Sequence, residues 1–498
     1  MNRTRPPWVS GRFESSGHAA ASRSNALAGR IRYSSIASPP PRVPPQPHAG
    51  SPERCRLLRI KIRRGSDLRG PNPRQRSTAA TFLRVERLTI FNARLITLDP
   101  PGAPEGPRRG RWLRDLGAID RGWLSIDHGR ILGLGSGDPP PGVERAIDAG
   151  GRVLMPAFVD CHTHACWAGE RYDEFAMRLA GRSYLEILDA GGGIMSTVRA
   201  VRGANERELA RNLRHRLEQM RRGGAGAIEV KSGYGLSTAD ELKMLRAIAA
   251  VAETSPAPVV ATFLGAHAID REAPDFVDRT IDETLPAVAA AFPGIACDAY
   301  CEQGAWSVEA CVRLFEKAKA LGLPIRVHLD QFNALGMLPI AIELGARTVD
   351  HLEASTAADL DRLAASDTIA VLLPASGFSL DDRYADARRL IDAGAAVAIA
   401  SNCNPGSAPG PSIAFAASLG CRKLRMTPEE VIVATTVNAA HAIGLGDSCG
   451  RLAPGLRADL QLLDADDERS IGGEYAIPGP AAITLGGRWF GLIPDGLA

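Results

Sequence analysis

Eight apolar runs, each closing on a polar tip and each followed by a longer helix-like stretch, limit most severely what this chain can fold into. They are Val153 to His164, Ala227 to Lys231, Val259 to His267, Ala296 to Glu302, Pro324 to His328, Thr348 to Leu352, Ile369 to Pro374 and Ala396 to Asn402. Short apolar runs alternating with helical patterns read as repeated βα units, and eight such units close into a (β/α)8 TIM barrel of the α/β class. Chemistry in that barrel is carried at the C-terminal strand ends.

A barrel of roughly 250 residues leaves room in a chain of 498. Residues 85 to 98 and 123 to 134 read as strands, the second containing the turn Asp127-His128-Gly129-Arg130. A similar pattern returns near the other end, where Gly450 to Leu460 leads into an apolar strand and Ala482 to Trp489 reads as another. Residues 81 to 152 and 446 to 498 are therefore expected to form one small β-sandwich domain beside a barrel at 153 to 445.

Residues 1 to 80 differ. They hold sixteen Lys and Arg against Glu14, Glu53 and Asp67, so the net charge of +3 hides a basic extension ahead of an acidic remainder. Rich in Arg, Ser and Pro and without periodic apolar positions, this extension is expected to be disordered. An Arg-rich, acid-poor segment can resemble a transit peptide or a nucleic-acid tail, but no nucleic-acid partner is expected. No run of about 18 apolar residues is present, so no membrane span is expected. Nine cysteines without CxxC spacing suggest free thiols and a cytoplasmic protein.

Five of the ten histidines fall at or near strand tips: His162 and His164, then His267, His328 and His351. Lys231, Glu302 and Asn402 join them. Alternate residues of a strand point the same way, so His162-Thr163-His164 aims two imidazoles at one point, as a metal chelate requires.

The segments Asp160-Cys161-His162-Thr163-His164, Gly191-Gly192-Gly193-Ile194, Glu229 to Leu236, Thr262 to His267 and Asn404-Pro405-Gly406-Ser407 resemble, in order, the imidazolonepropionases of the metal-dependent amidohydrolase superfamily. The resemblance spans roughly residues 81 to 490. It implies one divalent ion, Zn or Fe, held by His162, His164, His328 and position 402, and a small-molecule substrate opened by water at a ring carbonyl. It also implies a substrate site containing Arg171, Tyr184, Tyr234, His267, Gln331, Asn404, Gly406 and Ser407, and a homodimer. His267, His351 and Gln331 are the catalytic candidates. His351 is assigned as proton acceptor, His267 as polariser of the carbonyl or stabiliser of an oxyanion, and Lys231 and Glu302 as support for the site.

Two positions depart from the family pattern. Position 402 is Asn where the family has Asp, and an amide can coordinate through oxygen but is a poor base. Position 331 is Gln where Glu is commoner. Two alternatives stay open: an amidohydrolase for another cyclic amide or amidine, with two metals if Glu302 bridges them, or a catalytically impaired metal-binding relative.

Overall fold

The computed structural model describes residues 83–84, 87–143, 145–182, 186–187, 190–475 and 479–491, all within a unit spanning Ser77–Ala498. The basic extension lies outside the described residues.

An eight-stranded parallel sheet forms the barrel, in the order β7 (Phe158–Asp160), β8 (Ala225–Lys231), β9 (Val259–Ala266), β10 (Ala296–Cys301), β11 (Arg326–Leu329), β12 (Thr348–His351), β13 (Ile369–Leu372) and β14 (Val397–Ile399). Every strand pairs with its neighbour in sequence. The residues just beyond the two outer strands close the ring: Asn402 N–H donates to His162 O at 3.1 Å and His164 N–H to Cys403 O at 2.9 Å. The same seam is tied by Ser401, whose N–H and hydroxyl both donate to the buried carboxyl of Asp160.

Apart from the partly exposed Val259, Val260 and Ala261 of β9 and Tyr300 of β10 the strands are buried, as near-continuous Val, Ile and Ala runs in a parallel sheet should be. Around them the helices start where a short polar side chain can satisfy a free N–H. Asn205, Ser237, Ser307, Thr356 and Asp386 each accept from the third helical N–H of the segment that follows. Thr427 goes further and forms a reciprocal capping box with Glu430. Helix Glu206–Arg222 shows the packing logic: Leu209, Leu213, Leu217 and Met220, at helical spacing, are fully buried in the main core. Burying such a side chain contributes about 1.5–3 kcal/mol.

A second, nine-stranded sheet joins both ends of the described chain. Its order is β1 (Leu83–Arg84), β17 (Arg488–Gly491), β16 (Ala482–Leu485), β15 (Leu460–Leu462), β6 (Val153–Pro156), β2 (Arg87–Ile96), β3 (Ala118–Asp127) and β4 (Arg130–Ser136), with β5 (Ala146–Asp148) on β2. The β3–β4 hairpin turns at His128 and Gly129, both with positive φ, as a two-residue turn of right-handed strands requires. Two sequence expectations need correction. The run from Val153 is shared, because β6 belongs to this sheet and only from Phe158 does the chain enter the barrel. The segment Ala482 to Trp489 is a hairpin turning at Gly486 and Gly487, not one strand. Among the described residues no helix is long and apolar enough to cross a membrane, and the eight described cysteines are free thiols.

Candidate active site

The barrel mouth gathers the five histidines into one cluster, in which His162, His164, His328 and His351 are buried and His267 is partly exposed. Ring centroids of His162 and His328 lie 4.4 Å apart, His164 and His267 stack at 4.7 Å, and His351 stands 5.7 Å from His328. Partners on Nδ1 decide which nitrogen of each ring is available. Asp350 Oδ2 lies 2.6 Å from Nδ1 of His162, Asp298 Oδ1 3.0 Å from that of His328, and Glu353 Oε1 3.2 Å from that of His351. Each partner is an acceptor, so Nδ1 carries the proton and Nε2 keeps its lone pair. Burial, reinforced by neighbouring positive groups, holds His162 and His164 well below the usual imidazole range, and burial also lowers His328 despite Asp298. These rings are neutral, the form a metal binds.

Several observations fit a divalent ion here. One donor nitrogen each from His162, His328 and His351 lies within 4.8 Å of the others. His164 Nε2 and His328 Nε2 are 3.4 Å apart, close to the roughly 3.3–3.4 Å between ligands of a tetrahedral ion with bonds of about 2.0–2.1 Å. His162 Nε2 and Asn402 Oδ1 are buried without a hydrogen-bond partner, a costly state unless a ligand completes them. The other end of the Asn402 amide is held by Ser376, whose hydroxyl accepts from Nδ2 at 2.6 Å.

Beneath the histidines lies a charge network sealed from water. Lys231 Nζ reaches Glu229 Oε1 at 2.7 Å and Asp298 Oδ2 at 2.8 Å, while Arg326 reaches Asp350 at 3.0 Å and Glu229 at 3.5 Å. Burial alone would raise Asp298, but His328 and Lys231 hold it well below the carboxylate range. Lys231 therefore holds the carboxylate that pairs with His328 Nδ1. Glu302 is engaged with the chain beyond β11: its carboxylate accepts from the backbone N–H groups of Gln303, Phe332 and Asn333 and from the Asn333 side chain.

On the open side, His267 Nδ1 donates to Gly233 O at 3.1 Å and burial pushes its pKa down to about 3. Its Nε2 is then an acceptor, which does not suit the oxyanion role expected from sequence. Tyr234 packs against it at 5.2 Å. Gln331 Oε1 accepts from the Tyr300 hydroxyl at 2.9 Å. Arg171 pairs with Glu174, and its Nη1 end lies against Gly406. Asn404 turns inward on its own loop: Oδ1 accepts from the N–H groups of Gly406 and Ser407, and Nδ2 donates to Asn402 O. It therefore shapes the loop that presents Gly406 and Ser407. Tyr184 lies outside the described residues.

Several of these supporting groups, Asp298, Asp350, Glu353, Tyr300, Ser376 and Arg326, escape a reading that looks only at strand tips. The period of two carries most of the missing signal. Asp298, Tyr300 and Glu302 alternate along β10, as do Arg326 with His328 and Glu229 with Lys231, so polar residues recur on one face of otherwise apolar strands. The backbone is strained at the same mouth. Asp330, His351, Leu352 and Asn402 have positive φ, His351 at 90°, a clustering typical of functional sites.

Residues 153–487 match the model of the amidohydrolase family. The chain is 46% identical over 414 residues to imidazolonepropionase of Herpetosiphon aurantiacus, covering 80% of this chain and 96% of the relative. It is 45% identical over 394 residues to that of Symbiobacterium thermophilum, covering 76% and 91%. Among solved structures it is similar in fold to 5-methylcytosine deaminase of Klebsiella pneumoniae (TM-score 0.62, 17% identity, 82% of this chain and 99% of that one). A similar likeness links it to Escherichia coli guanine deaminase (TM-score 0.61, 15% identity, 81% and 98%).

Proposed function

The chain belongs to the imidazolonepropionase family of amidohydrolases, and from that premise we propose that it hydrolyses 4-imidazolone-5-propanoate to N-formimidoyl-L-glutamate in histidine degradation. The observation that carries the reading is the clustering of one donor nitrogen each from His162, His328 and His351 within 4.8 Å of one another, together with the buried Asn402 Oδ1 that has no hydrogen-bond partner.

One divalent ion, zinc or iron, would be held by His162, His164, His328 and Oδ1 of Asn402; a His-rich N/O set accepts either metal. When bound, such an ion supplies Lewis acidity, lowering the pKa of a coordinated water and polarising a carbonyl. The protein's own groups do the rest. His351, its Nδ1 proton held by Glu353, offers Nε2 to take the proton of the attacking water and return it to the ring nitrogen as the C–N bond breaks. His267 Nε2 accepts an N–H of the substrate ring and so fixes its plane. Gln331, its oxygen occupied by Tyr300, donates from Nε2 to the ring. Arg171 binds the propanoate carboxylate near Gly406 and Ser407.

Asn402 is the observation that favours a second reading. Without the family's carboxylate the site lacks an anionic acceptor, which suits either slow turnover through His351 or retuning for another cyclic amide. The test is incubation of metal-loaded protein with freshly generated imidazolonepropanoate, following loss of substrate absorbance. Turnover supports the reading, and none at full metal occupancy contradicts it. The same reading has the protein acting in the cytoplasm as a homodimer.

A further inference from the structure

Gly191-Gly192-Gly193 has no part in the mechanism above, yet its geometry points at one side chain. Gly191 and Gly193 have φ of 82° and 77°, in the region glycine adopts without strain. At Gly192 an added Cβ would meet Ile187 Cγ2 at 2.7 Å, Ile187 O at 2.8 Å and the carboxyl carbon of Glu174 at 3.1 Å. The turn therefore wraps a buried carboxylate. Glu174 Oε1 accepts from Gly193 N–H and from the Ser196 hydroxyl, each at 3.1 Å. The same carboxylate accepts from Arg171 twice, Nε to Oε1 at 2.8 Å and Nη2 to Oε2 at 2.5 Å. Desolvation opposes the charge on Glu174, but Arg171 and the two other donors hold its pKa below the ordinary carboxylate value.

We infer that Glu174, seated in the triple-glycine turn, is a positioning residue that clamps the Arg171 guanidinium by Nε and Nη2 and so directs its remaining Nη1 edge toward the carboxylate of the substrate. A fork held by two parallel hydrogen bonds cannot rotate about its terminal bonds, so little conformational freedom remains to be lost when a carboxylate arrives. Gly406 completes the arrangement: a Cβ there would collide with Arg171 Nη1, so only glycine leaves that edge open. The inference rests on the proposed substrate, because it presumes that a carboxylate-bearing imidazolone binds at Arg171.

Glu174→Gln is the discriminating variant. Its amide oxygen can still accept from Gly193 and Ser196, so the turn keeps its support, but the charge and one acceptor for Arg171 are lost. KM for imidazolonepropanoate should rise roughly tenfold with kcat within about twofold of the parent, as expected when ground-state binding is what is lost. A substrate analogue with an ethyl group in place of the propanoate should show no change in KM. Arg171→Ala with Glu174→Gln should be no worse than Arg171→Ala alone, since Glu174 acts through Arg171. An unchanged KM in Glu174→Gln, an equal effect on the analogue, or additive losses in the double variant would each overturn the inference. Failure of the parent protein to turn over imidazolonepropanoate would instead count against the proposed function.

Discussion

At the scale of single residues, the proposed function turns most on Asn402. Ser376 takes the amide N–H and Oδ1 has no hydrogen-bond partner, so on the proposed reading the oxygen is available to coordinate while the anionic proton acceptor of the family's Asp is missing. Asn402→Asp is expected to raise kcat on imidazolonepropanoate at matched metal occupancy, and no gain would favour a site retuned for another ring. The carboxylates behind the ligands are testable in the same way. Asp298→Asn keeps an acceptor near His328 Nδ1 but removes the charge that steadies the ring, and second-sphere changes of this kind weaken metal binding by about 10–100-fold. A competitive chelator titration of Asp298→Asn measures it, and unchanged affinity would remove Asp298 from the account. The histidines that cluster at the barrel mouth were readable from the spacing HxH and from strand tips. Glu353 and Ser376 were not, because a carboxylate two residues past a strand and a serine in the short helix Pro374–Ser379 acquire meaning only once the ring closes.

Elements show where a sequence pattern is ambiguous. Val153 to His164 is one apolar, extended run, and nothing in its hydrophobicity marks Ala157 as the point where the chain passes from one sheet to the other. Partner strands decide that boundary: β15 and β2 claim Val153–Pro156, and β8 claims Phe158 onward. The Ala482–Trp489 hairpin did carry a signal, because Gly486-Gly487 between two short runs is a turn dipeptide, and reading across it merged two strands into one. Helix starts were better marked, by Ser, Thr, Asn and Asp. Thr427→Ala breaks the capping box at the helix Pro428–Ala434 and should cost about 1 kcal/mol. Urea unfolding checks this value, and kcat should not move because the cap is remote from the barrel mouth.

For the whole molecule, pH ties the site to stability. His162, His164, His267 and His328 are neutral, with folded pKa values below the 6.5 of a free imidazole. Below that pH the unfolded chain takes up protons that the folded chain refuses, so these groups disfavour folding as pH falls. Asp160 and Asp330, raised to about 6 by burial, act in the opposite sense between about 6 and their ordinary 3.8. Glu241 and Asp459 are raised by burial as well, but the histidines, His441 among them, and carboxylates that their partners hold low, such as Asp298, Glu430 and Glu468, outweigh these acids, so metal-free protein should unfold at lower urea concentration at pH 5 than at pH 7.5. A midpoint that rises on acidification would contradict this balance. In catalysis, His267 at about 3 contributes no acidic limb above about pH 4. His351→Asn should lower kcat at matched metal occupancy, since its Nε2 is the proposed proton acceptor.

Titrating zinc into metal-free protein while following loss of imidazolonepropanoate absorbance tests most directly whether His162, His164, His328 and Asn402 would hold a single ion on which ring opening depends. Turnover is predicted to rise in proportion to added metal and to level off at one equivalent per chain. Turnover that is absent at one equivalent, or that continues to climb to two, would contradict a mononuclear, metal-dependent hydrolase built on His162, His164, His328 and Asn402.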